Sequence, residues 1–175
     1  MNENKEILSW HFTKKEKFDF VEDLLSRLKG RVGEELEFFI LDNCCKWKNK
    51  ITSIFGANVL IKLDPFHAIQ RIVETLRKKH PFHKQMCQDL QKLLRSEGDS
   101  GPLRKEQTAE PNLIMKRLNG IVKKWEALEF ILLDQSLITV ETRQSILNLQ
   151  KHIQSGCLSG IPAGCSSGAN ENLHR

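Results

Sequence analysis

The chain has 175 residues, 39% of them hydrophobic, with 27 Lys or Arg against 22 Asp or Glu and a formal net charge of +5. Such a length and apolar fraction suit one domain with a moderate core, and no apolar run approaches the ~20 residues that a membrane helix needs. The polar start, Met1-Asn-Glu-Asn-Lys-Glu6, has none of the features of a secretory signal. Five cysteines without regular spacing, two of them adjacent (Cys44, Cys45), point to reduced thiols inside the cell, nuclear or cytoplasmic, rather than to a disulfide framework. A mildly basic balance is compatible with nucleic acid but common among intracellular domains.

In chain order, Glu6 to Phe12 alternates apolar and polar residues like a short strand. Thr13 with Glu16 reads as a capping box, followed by a helical stripe of Phe18, Val21, Leu24, Leu25 and Leu28 that Gly30 and Gly33 should end. The near-continuous apolar run Leu36 to Leu41 predicts a strand buried on both faces. Asp42 or Asn43 then caps a helix carrying Trp47, Ile51, Ile54 and Phe55 and stopped at Gly56. Asn58 to Leu63 reads as another strand, with a helix starting at Pro65. The order strand, helix, strand, helix, strand, helix is that of an α/β layer.

From about residue 66 the pattern turns helical. Ile69, Ile72, Val73 and Leu76 make one face, broken at His80-Pro81, and Met86, Leu90, Leu93 and Leu94 make a second. Ser96 to Pro102 has loop composition. A third helix enters at Pro111 with Leu113, Met115, Leu118, Ile121, Val122 and Trp125, and a fourth carries Val140, Ile146, Leu147, Leu149 and Ile153. Residues 156 to 169 are rich in Gly and Ser, and the last six residues start a further helix. Trp10, Trp47 and Trp125 fall on apolar stripes and read as core.

Four blocks carry a family resemblance: Leu41-Asp-Asn-Cys-Cys-Lys-Trp47, Lys62-Leu-Asp-Pro-Phe-His-Ala-Ile-Gln-Arg71, Gly156-Cys-Leu-Ser-Gly-Ile-Pro162 and Asn170-Glu-Asn-Leu-His-Arg175. In this order they resemble animal DDE transposases of the Mutator-like and hAT-like kinds, whose ribonuclease-H-like core is interrupted by a helical insertion. The resemblance implies a partial ribonuclease-H-like α/β core over 1–66, a helical insertion over 67–155, and a loop with the start of the final core helix over 156–175. It implies that Asp42 is the second catalytic acid, Asp64 and His67 the accessory Asp-x-x-His motif, and Glu171 the third acid. Asp42 and Glu171 would hold Mg²⁺ or Mn²⁺, because phosphodiester cleavage and strand transfer use two divalent ions that take oxygen ligands. The ancestral substrate would be double-stranded DNA at transposon ends, with a homo-oligomer among the assemblies the family allows.

The departures shape the expectation. The family's first acid belongs to an opening strand well before Asp42, and Glu3, Glu6, Glu16 and Asp19 stand in no comparable setting. The helix bearing Glu171 is cut after one turn. The expectation is therefore a truncated piece, inactive alone, with weak or no metal binding. The alternative is a repurposed, non-enzymatic module that binds DNA or protein. Each acid also has a plainer reading: Asp42 and Asp64 as helix caps, His67 as a core histidine or the partner of Asp64, and Glu171 as a dipole partner near a helix start.

Basic residues supply the binding alternative. Arg71, Arg77, Lys78 and Lys79 cluster near one helix end, and Lys116, Arg117, Lys123 and Lys124 lie on another helix. Lys and Arg contacts to phosphate supply most non-specific affinity for DNA, although such runs are more often a solvated face. No helix-turn-helix, zinc-finger, Walker-type or dinucleotide-binding spacing occurs.

Overall fold

The structure is a computed structural model that describes residues 21–32, 36–98, 107–132 and 136–165. Its elements are α1 (Glu22–Val32), β1 (Phe38–Leu41), α2 (Cys44–Phe55), β2 (Leu60–Leu63), α3 (Pro65–Val73), α4 (His83–Gln91), α5 (Pro111–Leu132) and α6 (Val140–Gln154). The chain is mixed α/β and mostly helical, with six helices and one two-stranded parallel sheet among the described residues. It divides into two compact units, Met1–Lys62 and Leu63–Arg175.

In the first unit, β1, α2 and β2 follow one another as a crossover connection, which a parallel pair of strands requires. The pairing starts where Leu60 N donates to Glu37 O at 2.9 Å. α2 begins where Lys46 N and Trp47 N both reach the Asn43 carbonyl, and the Asn43 side chain makes no capping bond. Gly56 ends α2 at φ 100°, a left-handed conformation that suits glycine. Ile51 is fully buried and Phe39 meets Phe55 edge-on at 4.8 Å, while α1 rests against α2 without burying a side chain.

Three expectations here are corrected. β1 is half-buried along its whole length, so its apolar run marks one partner strand rather than a strand covered on both faces. α1 runs through Gly30 to Val32, the residue before Gly33, so of the two glycines expected to end it Gly30 does not, since a glycine inside a helix costs only about 1 kcal/mol. Trp47 is half-buried rather than core. The expected strand at Glu6–Phe12, its capping box and Trp10 lie outside the described residues.

The second unit is a helical cluster. α3 contacts α4 and α6, and α5 contacts α4 and α6. Its core holds Leu63, Ile72, Met86, Leu90, Leu93, Ile114, Leu118, Trp125, Leu137, Ile153 and Leu158, each less than 2% exposed. α3 buries Pro65, Ala68 and Ile72, with Leu76 continuing that face beyond its end at Val73. The helix therefore stops well before His80-Pro81. On α5 the buried face is Ile114, Leu118 and Trp125, one step round from the expected Leu113 and Met115, which are half-buried. α6 buries Thr142, Ile146, Leu149 and Ile153, leaving Val140 80% and Leu147 51% exposed against expectation. In both helices an apolar stripe wider than its contact surface left the choice of face to the neighbouring helices.

Polar stitches join the helices of this unit. Thr139 caps α6 by accepting from Thr142 N at 3.1 Å, and Thr139 Oγ1 and Thr142 Oγ1 both donate to Thr75 O, at 3.2 and 2.8 Å. Thr108 N donates to Ile161 O and Ile161 N to Thr108 Oγ1, each at 2.8 Å, while Ala109 N reaches Leu94 O. These bonds satisfy buried backbone groups that a loop would otherwise strand.

Candidate functional site

Asp42 follows β1 directly and is exposed. Asp64 follows β2 and is 3% exposed; its Oδ1 accepts from Phe66 N at 2.8 Å, so it caps α3 with Pro65 at the first helical position. His67, half-buried in the first turn of α3, stacks edge-on against Phe66 and has a ring nitrogen within 4.8 Å of an Asp64 carboxylate oxygen. Glu171, the assigned third acid, lies outside the described residues. Of the acids assigned to metal, the described residues thus supply Asp42.

Thiols and imidazoles form pairs within each unit. Cys44 Sγ and Cys45 Sγ are 3.8 Å apart in the first unit, and Cys87 Sγ lies 3.8 Å from both ring nitrogens of His83 in the second. Burial pushes the Cys87 thiol up from its ordinary range, with a backbone hydrogen bond opposing, so the neutral thiol is favoured there.

A groove of about 650 Å³ opens in the second unit, where the chain leaving α4 faces one side of α5. On α5 it is lined by Arg117, Gly120, Ile121 and Lys124, which share a helix face at i, i+3, i+4 and i+7. Asp89 of α4 and Lys92, Leu93, Arg95, Ser96 and Gly98 beyond it supply the other wall. Among the described residues, four cationic residues and one acidic residue line it. Arg95 is 7% exposed, and its carbonyl accepts from Arg117 Nη1, which ties the two walls together. Ser96 Oγ donates to Gln107 O at 2.6 Å and holds the start of the next loop. The second wall also reaches the Trp125 indole, whose Nε1 donates to Asp89 Oδ2 at 3.1 Å.

Of the eight basic residues singled out from sequence, the structure brings Arg117 and Lys124 into this groove. Lys116 and Lys123 precede them by one position and are exposed about 100° further round α5. Arg71 lies in the last turn of α3, and Arg77, Lys78 and Lys79 occupy the connection to α4; none of them lines the groove. Sequence reasoning missed Lys92 and Arg95. Their spacing of three around the apolar pair Leu93-Leu94 was the available signal, but it was masked by reading that pair as the end of a helix face. Comparison with protein-family models, with curated proteins and with solved structures returns no match for this chain.

Proposed function

We propose that the chain is a nucleic-acid-binding module of transposase descent, whose helical unit holds phosphodiester backbone in the groove between α5 and the segment after α4. The observation that carries this reading is the convergence of Lys92, Arg95, Arg117 and Lys124 on one concave surface, with a single carboxylate among its described residues. Convergent cations on a concave wall focus the field and attract phosphate, and a groove this size lies in the range of ligand sites. Readout of phosphate rather than of bases follows from the lining, because guanidinium and ammonium groups contact backbone oxygens without sequence preference. The exposed Arg71, Lys78, Lys79, Lys116 and Lys123 would add diffuse attraction outside the groove. Double-stranded DNA is the partner proposed, in line with the transposase resemblance, and the ribonuclease-H-like descent of the β1–α2–β2–α3 stretch belongs to the same proposal.

The test is binding of a labelled DNA duplex followed by fluorescence anisotropy across a salt series. Lys92→Gln removes an exposed groove cation; if it contacts one phosphate, affinity falls about eightfold at 0.1 M salt and the salt slope drops by about one. Gly120→Glu sets a charged side chain into the groove from a position where an added Cβ meets nothing within 4 Å. Binding should then be lost without loss of fold, and wild-type affinity in Gly120→Glu would refute the groove as the site.

The catalytic reading rests on Asp42, an exposed acid directly after a strand of a parallel pair. It proposes divalent-ion binding by Asp42 with Glu171, and Asp64–His67 as the motif that braces α3. Manganese affinity measured by electron paramagnetic resonance decides it: no change in Asp42→Ala removes the assignment. The proposal assigns no strand-transfer activity to this chain alone.

A further inference from the structure

The groove contains an anion of its own. Asp89 Oδ2 accepts from Lys124 Nζ at 2.6 Å and from Trp125 Nε1 at 3.1 Å. The two donors differ in kind. Trp125 is 1% exposed in the core, whereas the Lys124 side chain is 45% exposed and also lies over the Trp125 ring, 4.8 Å from its centroid. Asp89 is thus anchored by a buried indole and offers its remaining charge to a lysine at the mouth of the groove. A phosphate arriving at Lys124 meets a carboxylate already in place.

We propose that Asp89 is a tethered competitor for phosphate at Lys124, so that Lys92, Arg95 and Arg117 hold the ligand at rest and Lys124 engages only when its ion pair opens. The nature of the ligand rests on the nucleic-acid reading above; the competition itself does not. The ion pair is partly exposed, and such pairs contribute at most about a fivefold bias, small enough for a phosphate to displace. Asp89 therefore lowers affinity for all polyanions by a few fold and favours ligands that present a second phosphate deep enough to reach the buried Arg95 end.

Asp89→Asn isolates this effect, because the amide oxygen can still accept from Trp125 Nε1 while the charge is gone. Two probes are used with the full chain: the labelled DNA duplex and inorganic tripolyphosphate. The expected result is about three- to fivefold tighter binding of both by Asp89→Asn, an unchanged salt slope for the duplex in Lys124→Gln, where the bared Asp89 carboxylate lowers affinity without removing a phosphate contact, and loss of the gain in the double variant, as coupling through one contact requires. If wild type binds DNA and Asp89→Asn binds it no better, the competitor is refuted and the nucleic-acid reading stands. If wild type fails to bind DNA, yet Asp89→Asn gains tripolyphosphate binding that depends on Lys124, the nucleic-acid reading fails and the competitor stands. Absence of binding to either probe by either protein overturns both. Should Asp89→Asn melt far below wild type, Lys124→Gln decides by its salt slope: a slope lower by about one shows Lys124 already on a phosphate and refutes the proposal.

Discussion

The two compact units spend their apolar residues differently. In the first, the described buried side chains are Cys44, Ile51 and Val59, beside a two-stranded sheet whose β1 is half-buried and an α1 that buries nothing. In the second, every described helix contributes to a continuous core, and hydrogen bonds from Thr139 and Thr142 to the Thr75 carbonyl, and from Ile161 N to the Thr108 hydroxyl, close the connections between helices. A two-stranded sheet is marginal alone, because strands gain stability from further strands or from a packed face. Helices satisfy their own backbone, so a few of them make a core without edges to cover. The difference teaches where function can be read with geometry: the groove lies in the unit whose walls are held by buried side chains.

Four substitutions bear on that contrast, in falling order of effect. Trp125→Ala should cost about 3–5 kcal/mol, since it empties a large buried site and removes an indole hydrogen bond to Asp89. Ile51→Ala in the first unit should cost about 2–3 kcal/mol, at the lower end for such truncations because that unit has few other described buried side chains. Denaturant titration and hydrogen exchange of α5 and α2 amides check the pair, and equal costs would remove the contrast between the units. Next, Asp64→Ala should cost about 1 kcal/mol through loss of the α3 cap. Asp42→Ala should stay within about 0.5 kcal/mol for an exposed position. A large stability loss from Asp42→Ala would show that this acid is structural as well.

The smallest effect concerns pH. A backbone hydrogen bond first, and then the Thr139 hydroxyl, hold the Glu141 carboxyl below the usual carboxylate range. A folded-state value below the unfolded one means stabilisation that is present above the ordinary glutamate range and is lost as pH falls through the folded value. Wild type and Glu141→Gln should therefore differ slightly in Tm near neutrality and converge in strong acid. A gap that persists at low pH would place the effect elsewhere in the side chain.

Local signals determined much of the architecture. Pro65 behind Asp64 set the start of α3, Gly56 set the end of α2, and Pro111 set the entry of α5, because each acts through the dihedral or donor of a single residue. The elements β1, α2, β2 and α3 follow in the order that the apolar runs dictate. Tertiary structure decided what local signals leave open. It chose Ile114 over Leu113 on α5 and exposed Val140 and Leu147 on α6, because the partner helix selects which edge of a broad apolar stripe is covered. It also drew Lys92 and Arg95 to Arg117 and Lys124 across 22 or more residues of chain and set Asp89 between cation and indole. Spacing along a sequence reports neighbours within one helix; a groove made by two segments depends on how their ridges meet, which no single segment encodes.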